Sequence, residues 1–331
     1  MTARTRLFAL LLPAALASSA CDIGIAADAV EGSFQRDLTV SGPAELNVMS
    51  GSGDIVVRTG PEGAIRVHAR LRARSGPFIS LSGESAEQRI RKIEQDPPIE
   101  QSGNRIHVGP KDWNEGWNNV SISYEITVPA STRLEARNGS GDLDVSEVAG
   151  PVEASTGSGN IRVGRVKGSV AVRTGSGDID LAGAGSARAS TGSGNVTAMG
   201  IRGDLEARTG SGDLTLGQNG KGRAEVSTGS GDIDLLGASG PLHVRSGSGD
   251  IQVEGTPAGA WDVSASSGDV RVRLPKQGGF DLDLRSNSGR IDSSIPITIS
   301  GTQSRKEVRG QVRGGGPLVH VSTSSGGIVV Q

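Results

Sequence analysis

Residues 173–183, RTGSGDIDLAG, contain a glycine-serine turn that returns along most of the chain. The second glycine of the turn recurs every 17 to 19 residues, at Gly141, Gly159, Gly177, Gly194, Gly212, Gly231, Gly249 and Gly268. Weaker copies of the turn stand at Gly53, Gly289 and Gly326. A fixed period of this length is typical of a repeat protein in which every copy forms one structural unit.

Each repeat divides into two halves of about nine residues, a short strand and then a turn. Segments such as DIDL (178–181) and DIQV (250–253) alternate polar and apolar residues, which places one face inward and the other in water. Equivalent residues at a fixed period favour stacked coils over up-and-down hairpins, because each repeat of a stack contacts mainly its neighbours. A four-sided coil of twice this length would enclose more space than these side chains can fill. We therefore predict an all-β fold, a single-stranded parallel β-solenoid with flat coils of about 18 residues.

The composition fits a narrow interior. Glycine accounts for 51 of the 331 residues, whereas aromatic residues make up only 2%. Val, Ile, Leu and Ala are the side chains that suit two sheets facing each other about 10 Å apart. Because these aliphatic residues alternate with polar ones along the whole chain, the sequence argues against disorder.

Residues 1–20 have the pattern of an export signal: Arg4 and Arg6, then an apolar stretch, then small residues. Removing them changes the formal net charge from −2 to −4, since two basic and no acidic residues are lost, and this charge gives no support for nucleic-acid binding. Cys21, the only cysteine, follows the run LASSA, at the place where a bacterial lipoprotein carries its acylated cysteine. Two alternatives stay open, a lipid anchor on Cys21 as the only membrane attachment and a soluble exported protein. We expect residues 21–35 to form an N-terminal tether.

We predict that residues 36–331 form one solenoid domain, with regular coils over 134–274. An insertion over 76–119 interrupts the pattern and includes a short helix near residues 85–96. Ser85 and Gln88 stand at the two positions of a capping box at the start of this helix.

The last segment of the chain, GGIVVQ (326–331), is an apolar strand. An open end of a solenoid exposes unpaired backbone groups, so this strand predicts self-association or contact with an envelope partner. The alternative is that residues 292–315 cover it locally.

Signals for catalysis and for cofactors are weak. The glycine-serine runs lack the GK[ST] motif and the following helix of a phosphate-binding loop. In calcium-binding β-rolls an aspartate stands two places after the last glycine of the turn, whereas Asp232 follows Gly231 directly. Zinc-ligand spacing is absent among the four histidines, which are His68, His107, His243 and His320. We predict a protein that is not an enzyme and that has no metal or cofactor.

Polysaccharide-active enzymes place paired carboxylates on one face, and Asp178 with Asp180 offers such a pair. The alternative is that the first residue belongs to the turn and the second to a solvated strand face. Sugar-binding faces also use aromatic platforms, and Trp113 with Trp117 in the polar loop 111–119 is the candidate contact surface. An anchoring role within the loop is the alternative for these two tryptophans.

A charged row is predicted beside the turns, because the residue five places before the post-turn Asp or Asn alternates between Arg and Ser. Stacked coils would otherwise place like charges about 4.8 Å apart, and alternation doubles that spacing to about 10 Å, one screening length in physiological salt. We expect these arginines to pair across the turn with the aspartates; the alternative is a surface for an acidic polymer or for lipid headgroups. The predicted ladder consists of Arg137, Arg173, Arg208 and Arg245 with Asp142, Asp178, Asp213 and Asp250.

The run SISYEITVPASTRLEARNGSGDLDVSEVAGPVEASTGSGNIRV (121–163) and the closing VSTSSGGIVV (321–330) resemble the bacterial putative-adhesin family, a domain of unknown function in exported and envelope proteins. The strand YEITVP (124–129) is the most specific part of this resemblance, which covers nearly all of the chain after the signal. The resemblance implies a β-solenoid of parallel coils in the cell envelope or at the cell surface, and it supplies no catalytic residues. The predicted function is that of a non-enzymatic structural or adhesin-like protein that binds an envelope component, either protein or glycan. The alternative is a polysaccharide-active or polysaccharide-binding solenoid.

Overall fold

A computed structural model describes residues 29–74, 84–111, 119–299 and 304–331. It contains one helix, α1 (Ala86–Gln95), and 29 strands, numbered in chain order, that form two sheets. Sheet I contains β1 (Ala29–Thr39), β3 (Ile55–Thr59), β4 (Ala64–Arg74), β7 (Val120–Val128), β9 (Leu143–Ser146), β11 (Ile161–Gly164), β13 (Ile179–Ala184), β15 (Val196–Ile201), β17 (Leu214–Gln218), β19 (Ile233–Ala238), β21 (Ile251–Gly255), β23 (Val270–Arg273), β25 (Ile291–Ser293) and β29 (Ile328–Val330). Sheet II contains β2 (Glu45–Ser52), β5 (Ile99–Ser102), β6 (Arg105–Val108), β8 (Arg133–Ser140), β10 (Val152–Ser158), β12 (Ser169–Ser176), β14 (Ser186–Ser193), β16 (Leu205–Ser211), β18 (Ala224–Ser230), β20 (Leu242–Ser248), β22 (Trp261–Ser267), β24 (Phe280–Ser286), β26 (Thr298–Ile299), β27 (Glu307–Val312) and β28 (Leu318–Ser325).

The middle of the molecule is a stack of coils, each with one strand in sheet II and the next in sheet I. Within this stack every strand pairs in parallel with the equivalent strand of the coils before and after it; Ile161 lies between Leu143 and Ile179, for example. Apolar residues at alternate positions are buried between the sheets, and the polar residues between them face outward. These observations confirm the predicted parallel β-solenoid.

The N-terminal end of the stack departs from the parallel pattern. Strand β4 pairs antiparallel with both β1 and β7, and helix α1 packs against β1 and β4 through Ile90 and Ile93, which are buried. Ser85 accepts a hydrogen bond from the backbone of Gln88, whose side chain in turn accepts one from the Ser85 backbone, which confirms the capping box. The tether expected over 21–35 is too long, because residues 29–35 already belong to β1.

The C-terminal end contradicts the expectation that the last strand forms an open edge. Strand β28 lies between β22 and β24, and β29 lies between β23 and β25, so the final coil is inserted between two coils that precede it in sequence. Strand β27 pairs antiparallel with β24 on its other side, and β26 continues that edge. A local cover by parts of 292–315 is therefore what the structure shows: residues 292–294 pair with the last strand, β29, and β27 with β26 covers β24. The basis for self-association through residues 326–331 is removed.

Candidate functional site

The aspartates and asparagines after the turns form a hydrogen-bonded ladder. In successive coils one side-chain oxygen accepts from the backbone N–H at the same position in the next coil, as Asp142 Oδ1 does from Asn160 at 2.9 Å and Asn160 Oδ1 from Asp178 at 2.9 Å. The ladder continues through Asp269, whose Oδ1 accepts from Gly327 at 2.8 Å. These side chains therefore hold the coils together, which gives Asp142, Asp178, Asp213 and Asp250 a structural role.

A second row of side chains joins the turns of neighbouring coils from inside. Thr174 Oγ1 donates to the carbonyl of Gly159 in the preceding coil at 2.9 Å, and Thr156, Thr191 and Thr209 make the equivalent bond to the coil before their own. The turn glycines are needed because a Cβ atom on Gly159 would lie 2.1 Å from the Gly141 carbonyl oxygen, and Gly159 has a φ of +152°.

The turns are not available to bind phosphate. Around Gly159, the backbone N–H of Gly159 donates to Ser176, that of Asn160 to Asp142, and that of Ile161 to Asp178. Because these N–H groups already have acceptors in the neighbouring coils, none is left to form an anion cradle. The glycine-serine repeat is a packing device of the stack.

The predicted arginines lie on the outer face of sheet II, beside a row of carboxylates. The register places Arg173 between Ser155 and Ser190, and the same alternation holds from Arg137 to Ser264. A second row lies two residues earlier on each strand. Its acidic members are Glu135, Glu153, Glu206, Glu225, Asp262 and Asp283. We call these two rows the charged face.

The prediction that these arginines form ion pairs with the aspartates across the turn is wrong. Arg137 pairs with Glu135, and Arg208 Nη2 lies 3.1 Å from Glu206 and 2.6 Å from Glu225. In the described part of the chain, neither Arg173 nor Arg245 forms an ion pair. Side chains two residues apart on a strand share a face, so the arginines reach these acids and not the turn.

A compact charge cluster closes the charged face at its C-terminal end. Asp283 receives Arg285 Nη2 at 2.9 Å, Arg309 Nε at 3.2 Å and His320 Nδ1 at 3.4 Å. Burial of Asp283 favours its neutral form, but the Arg285 hydrogen bond and the charges of Arg285, Arg309 and His320 outweigh this and lower the pKa of Asp283. His243 Nδ1 lies 3.1 Å from Asp262 further along the same row.

A groove of about 400 Å³ opens on the charged face, at the N-terminal end where β6, β2, β8, β10 and β12 lie side by side. Three of its charged side chains are already engaged, since Arg105 Nε donates to Glu45 at 3.2 Å and Glu135 accepts from Asn47 Nδ2 at 2.9 Å. Two others, Arg133 and Glu153, form no ion pair with described residues. Among the described lining residues, the groove therefore offers this cation and this carboxylate to a ligand.

Several predicted residues cannot be placed. Cys21, Trp113 and Trp117 lie outside the described residues. Within residues 29–74, 84–111, 119–299 and 304–331, no three His, Cys, Asp or Glu side chains come together in a way that could hold a metal ion. No helix in this described part has the length and apolar character needed to cross a membrane.

The carboxylate row was missed at the level of sequence, although a signal for it exists. Glu135–Arg137, Glu206–Arg208 and Asp283–Arg285 are acid-x-Arg triplets, and the two-residue period of a strand places both charges of each triplet on one face. The partners predicted for Arg137 and Arg208 were instead the turn aspartates, five residues after each arginine.

Fold and surface together define a two-sheet parallel β-solenoid with a charged outer face. Residues 43–183 and 164–331 match the family model Toastrack DUF4097, and the chain belongs to this family. A comparison with curated proteins found no match.

Three solved structures that resemble the chain come from two bacterial species. One is a "putative lipid binding protein" from Parabacteroides distasonis, with 14% identity, 90% of this chain and 96% of the other covered, and a TM-score of 0.40. A "putative adhesin" from the same species has 11% identity, coverage of 90% and 97%, and a TM-score of 0.38. A "putative adhesin" from Bacteroides fragilis has 14% identity, coverage of 91% and 97%, and a TM-score of 0.30.

Proposed function

We propose that the protein is a non-enzymatic binding element of the bacterial envelope, exported from the cytoplasm, which uses the charged face of sheet II as its binding surface. The observation that carries this proposal is the groove in that face, where Arg133 and Glu153 are exposed and lack ion-pair partners among the described residues. A ligand with groups of both signs, such as an envelope glycan or an envelope protein, would satisfy both side chains.

The stack makes this surface rigid. Each coil is tied to the next by parallel backbone pairing, by the Asp/Asn ladder and by the threonine bonds to glycine carbonyls. Side chains on such a scaffold lose little conformational freedom on binding, so a preorganised groove binds more tightly than a mobile one.

The test is binding of the purified protein to isolated envelope fragments of the producing bacterium, measured by co-sedimentation. Glu153→Lys and Arg133→Glu each reverse one free charge of the groove, and we expect each to weaken binding about tenfold. The matched control is Glu62→Lys, which reverses an exposed charge in the turn between β3 and β4, away from both sheet faces. If the control weakens binding as much as the groove variants, the charged face is not the binding surface.

Attachment to the envelope is a separate part of the proposal. Fractionation of cells that produce the chain with Cys21→Ser distinguishes a lipid anchor from retention by the charged face. Release of this variant into the soluble fraction supports a lipid anchor, whereas retention in the envelope supports binding through the charged face.

A polysaccharide-active solenoid is the second candidate, and the groove favours it in one respect. Three carboxylates, Glu45, Glu135 and Glu153, line the groove together with basic residues. No aromatic side chain is among the described residues that line it, so the expected sugar platform is missing there. Release of new reducing ends from envelope polysaccharide would favour this candidate, and binding without release would favour the adhesin-like function.

A further inference from the structure

The outer face of sheet I differs from the charged face because one of the two rows at its centre carries no charge. Two rows of outward-facing residues run across the strands from β11 to β19. The first row consists of Arg162, Asp180, Thr197, Thr215 and Asp234, so its uncharged part is Thr197 on β15 and Thr215 on β17. The second row is uncharged throughout this region and consists of Gly164, Ala182, Met199, Gly217 and Leu236. Met199 is 39% exposed and is one of three large apolar side chains in the described chain with such exposure.

Charged pairs frame this centre on both sides. Toward the N-terminal end Arg58 Nη2 lies 3.5 Å from Asp144, and toward the C-terminal end Arg273 Nη1 lies 3.5 Å from Glu254. An apolar row with an exposed methionine at its centre and charged pairs beyond its ends is the usual anatomy of a protein interface. The Met199 side chain lies along this row over Gly217, where a Cβ atom would be 3.0 Å from its Sδ and Cε atoms, so a second sheet can approach to about 10 Å.

We infer that a second copy of this chain packs against this face. Strand β15 lies at the centre of sheet I, with β13, β11, β9 and β3 on one side matched by β17, β19, β21 and β23 on the other. A two-fold axis along β15 therefore superposes the two sheets face to face with the stack direction reversed. Such an arrangement is isologous, and each contact occurs twice.

The register fixes which side chains meet across this axis. Strand β11, which carries Arg162, and strand β19, which carries Asp234, each lie two strand positions from β15, so the two-fold axis places Arg162 of one copy opposite Asp234 of the other. Within one copy Arg162 reaches Asp142 only at 3.5 Å, and Asp234 forms no ion pair with described residues. The interface thus joins two charges that the single chain leaves weakly engaged.

The apolar row is complementary in shape under the same operation. Leu236 of one copy faces Gly164 of the other, where a Cβ atom would find no neighbour within 4 Å. Ala182 faces the Met199 side chain that covers Gly217, Asp180 faces Thr215, whose hydroxyl can donate to the carboxylate, and the Met199 backbone lies on the axis. Arg58 and Arg273 face each other only at the rim, where each is already paired with an acid.

The expected dimer is weak. Nine strands at about 4.8 Å, each contributing about four residues at about 3.3 Å, cover roughly 600 Å² per copy, which is at the lower limit for a specific interface. The charged faces of the two copies would then point away from each other. Such a dimer would present two binding faces, and its existence does not depend on what the charged face binds.

The test is sedimentation equilibrium of the chain with Cys21→Ser, which removes any acyl chain as a cause of association, from about 1 μM to about 1 mM. We expect a monomer–dimer equilibrium in the micromolar range. Met199→Asp places a charge on the axis and Asp234→Arg places like charges opposite Arg162, so each should weaken the dimer at least tenfold. The matched control is Ser190→Asp, in the same coil as Met199 but on the outer face of sheet II.

The outcomes separate clearly, provided that thermal unfolding shows each variant to be folded. Dimer formation that Met199→Asp and Asp234→Arg weaken and Ser190→Asp leaves unchanged supports the inference. A monomer over the whole concentration range overturns it. So does a dimer that both sheet I variants leave intact, or one that Ser190→Asp weakens equally.

Discussion

The regular coils and the C-terminal end are built from the same repeat but follow different orders. From β8 to β23 each coil stacks on the one that precedes it in sequence, whereas β28 and β29 insert between earlier coils. The inserted coil carries the same bonds as the others, since Thr323 Oγ1 donates to Gly268 at 3.1 Å and Gly327 donates to Asp269 at 2.8 Å. The repeat sequence therefore determines the structure of a single coil, but it does not determine the position of that coil in the stack.

The path into the gap depends on the segment before the last coil. Strand β27 pairs with the far side of β24, so the chain must cross back before β28 begins. Residues 313–316 have φ values of +50°, +90°, +82° and +158°, and three of these four residues are glycines. A run of left-handed residues is available mainly to glycine, which makes RGGG the local signal for this reversal.

The largest effect should come from removing the inserted coil. Truncation after Gly316 deletes Val319, Val321, Ile328 and Val330, which are fully buried, and leaves the coils on both sides uncovered. Four aliphatic side chains contribute on the order of 6–10 kcal/mol as an upper estimate, comparable to the whole stability of a typical domain. We expect the truncated chain to lose its cooperative unfolding transition in guanidinium, followed by circular dichroism.

The control deletes one regular coil, residues 156–173, and joins Ser155 to Thr174. The remaining coils can stack again in the same register, so this deletion should cost one interface between coils and preserve a cooperative transition. A truncated chain that unfolds at the same midpoint as the intact one would show that β24 and β25 can stack directly on β22 and β23.

The next effect concerns the turn glycines inside the stack and at its end. A Cβ atom on Gly157 would lie 2.6 Å from the Gly139 carbonyl oxygen, whereas Gly51, at the same position of the first coil, has no atom within 4 Å. Gly157→Ala should therefore destabilise the protein by about 2–3 kcal/mol, because backbone must move to relieve the contact. Gly51→Ala should change stability by less than about 1 kcal/mol. Equal losses in denaturant unfolding would contradict the stacking explanation for the glycines.

Sequence reasoning succeeded for the regular coils and failed where neighbours in space are not neighbours in sequence. The spacing of Gly141 to Gly268 was sufficient because each coil there contacts the previous one. The position of Ile328 in the stack could not be derived from the sequence. The alternation of apolar residues around it fits a strand paired beside Val270 as well as a strand at an open end of the stack. On the charged face the row of Arg137 was predicted, but its partner Glu135, two residues earlier, was not, because the predicted pairing ran across the turn to Asp142, five residues later.

A smaller effect tests the spacing of charges in the regular coils. Replacing Ser155, Ser190 and Ser227 by Arg creates six new neighbouring arginine pairs in the row, each unfavourable by a few tenths of a kcal/mol. We expect a loss of about 1–3 kcal/mol that shrinks as salt is raised, because these charges are exposed and screened. The same three serines replaced by Gln provide the uncharged control. A triple Arg variant that melts like the Gln control at every salt concentration would rule out the charge-spacing hypothesis.

The smallest expected change in stability comes from a substitution at Ala265, in the coil that contacts the inserted coil. In the row of hydroxyl residues that donate to glycine carbonyls, Ala265 stands between Ser246 and Thr323 and has no hydroxyl. Its buried side chain lies at the position from which Thr228 and Ser246 reach Gly212 and Gly231, each in the preceding coil, so the carbonyl of Gly249 receives no such bond within the described stack. Ala265→Thr should restore the bond and stabilise the protein by about 0.5–1.5 kcal/mol. Ala265→Val adds a similar volume without the donor, and thermal unfolding that rises equally for both variants would assign the gain to packing and not to the hydrogen bond.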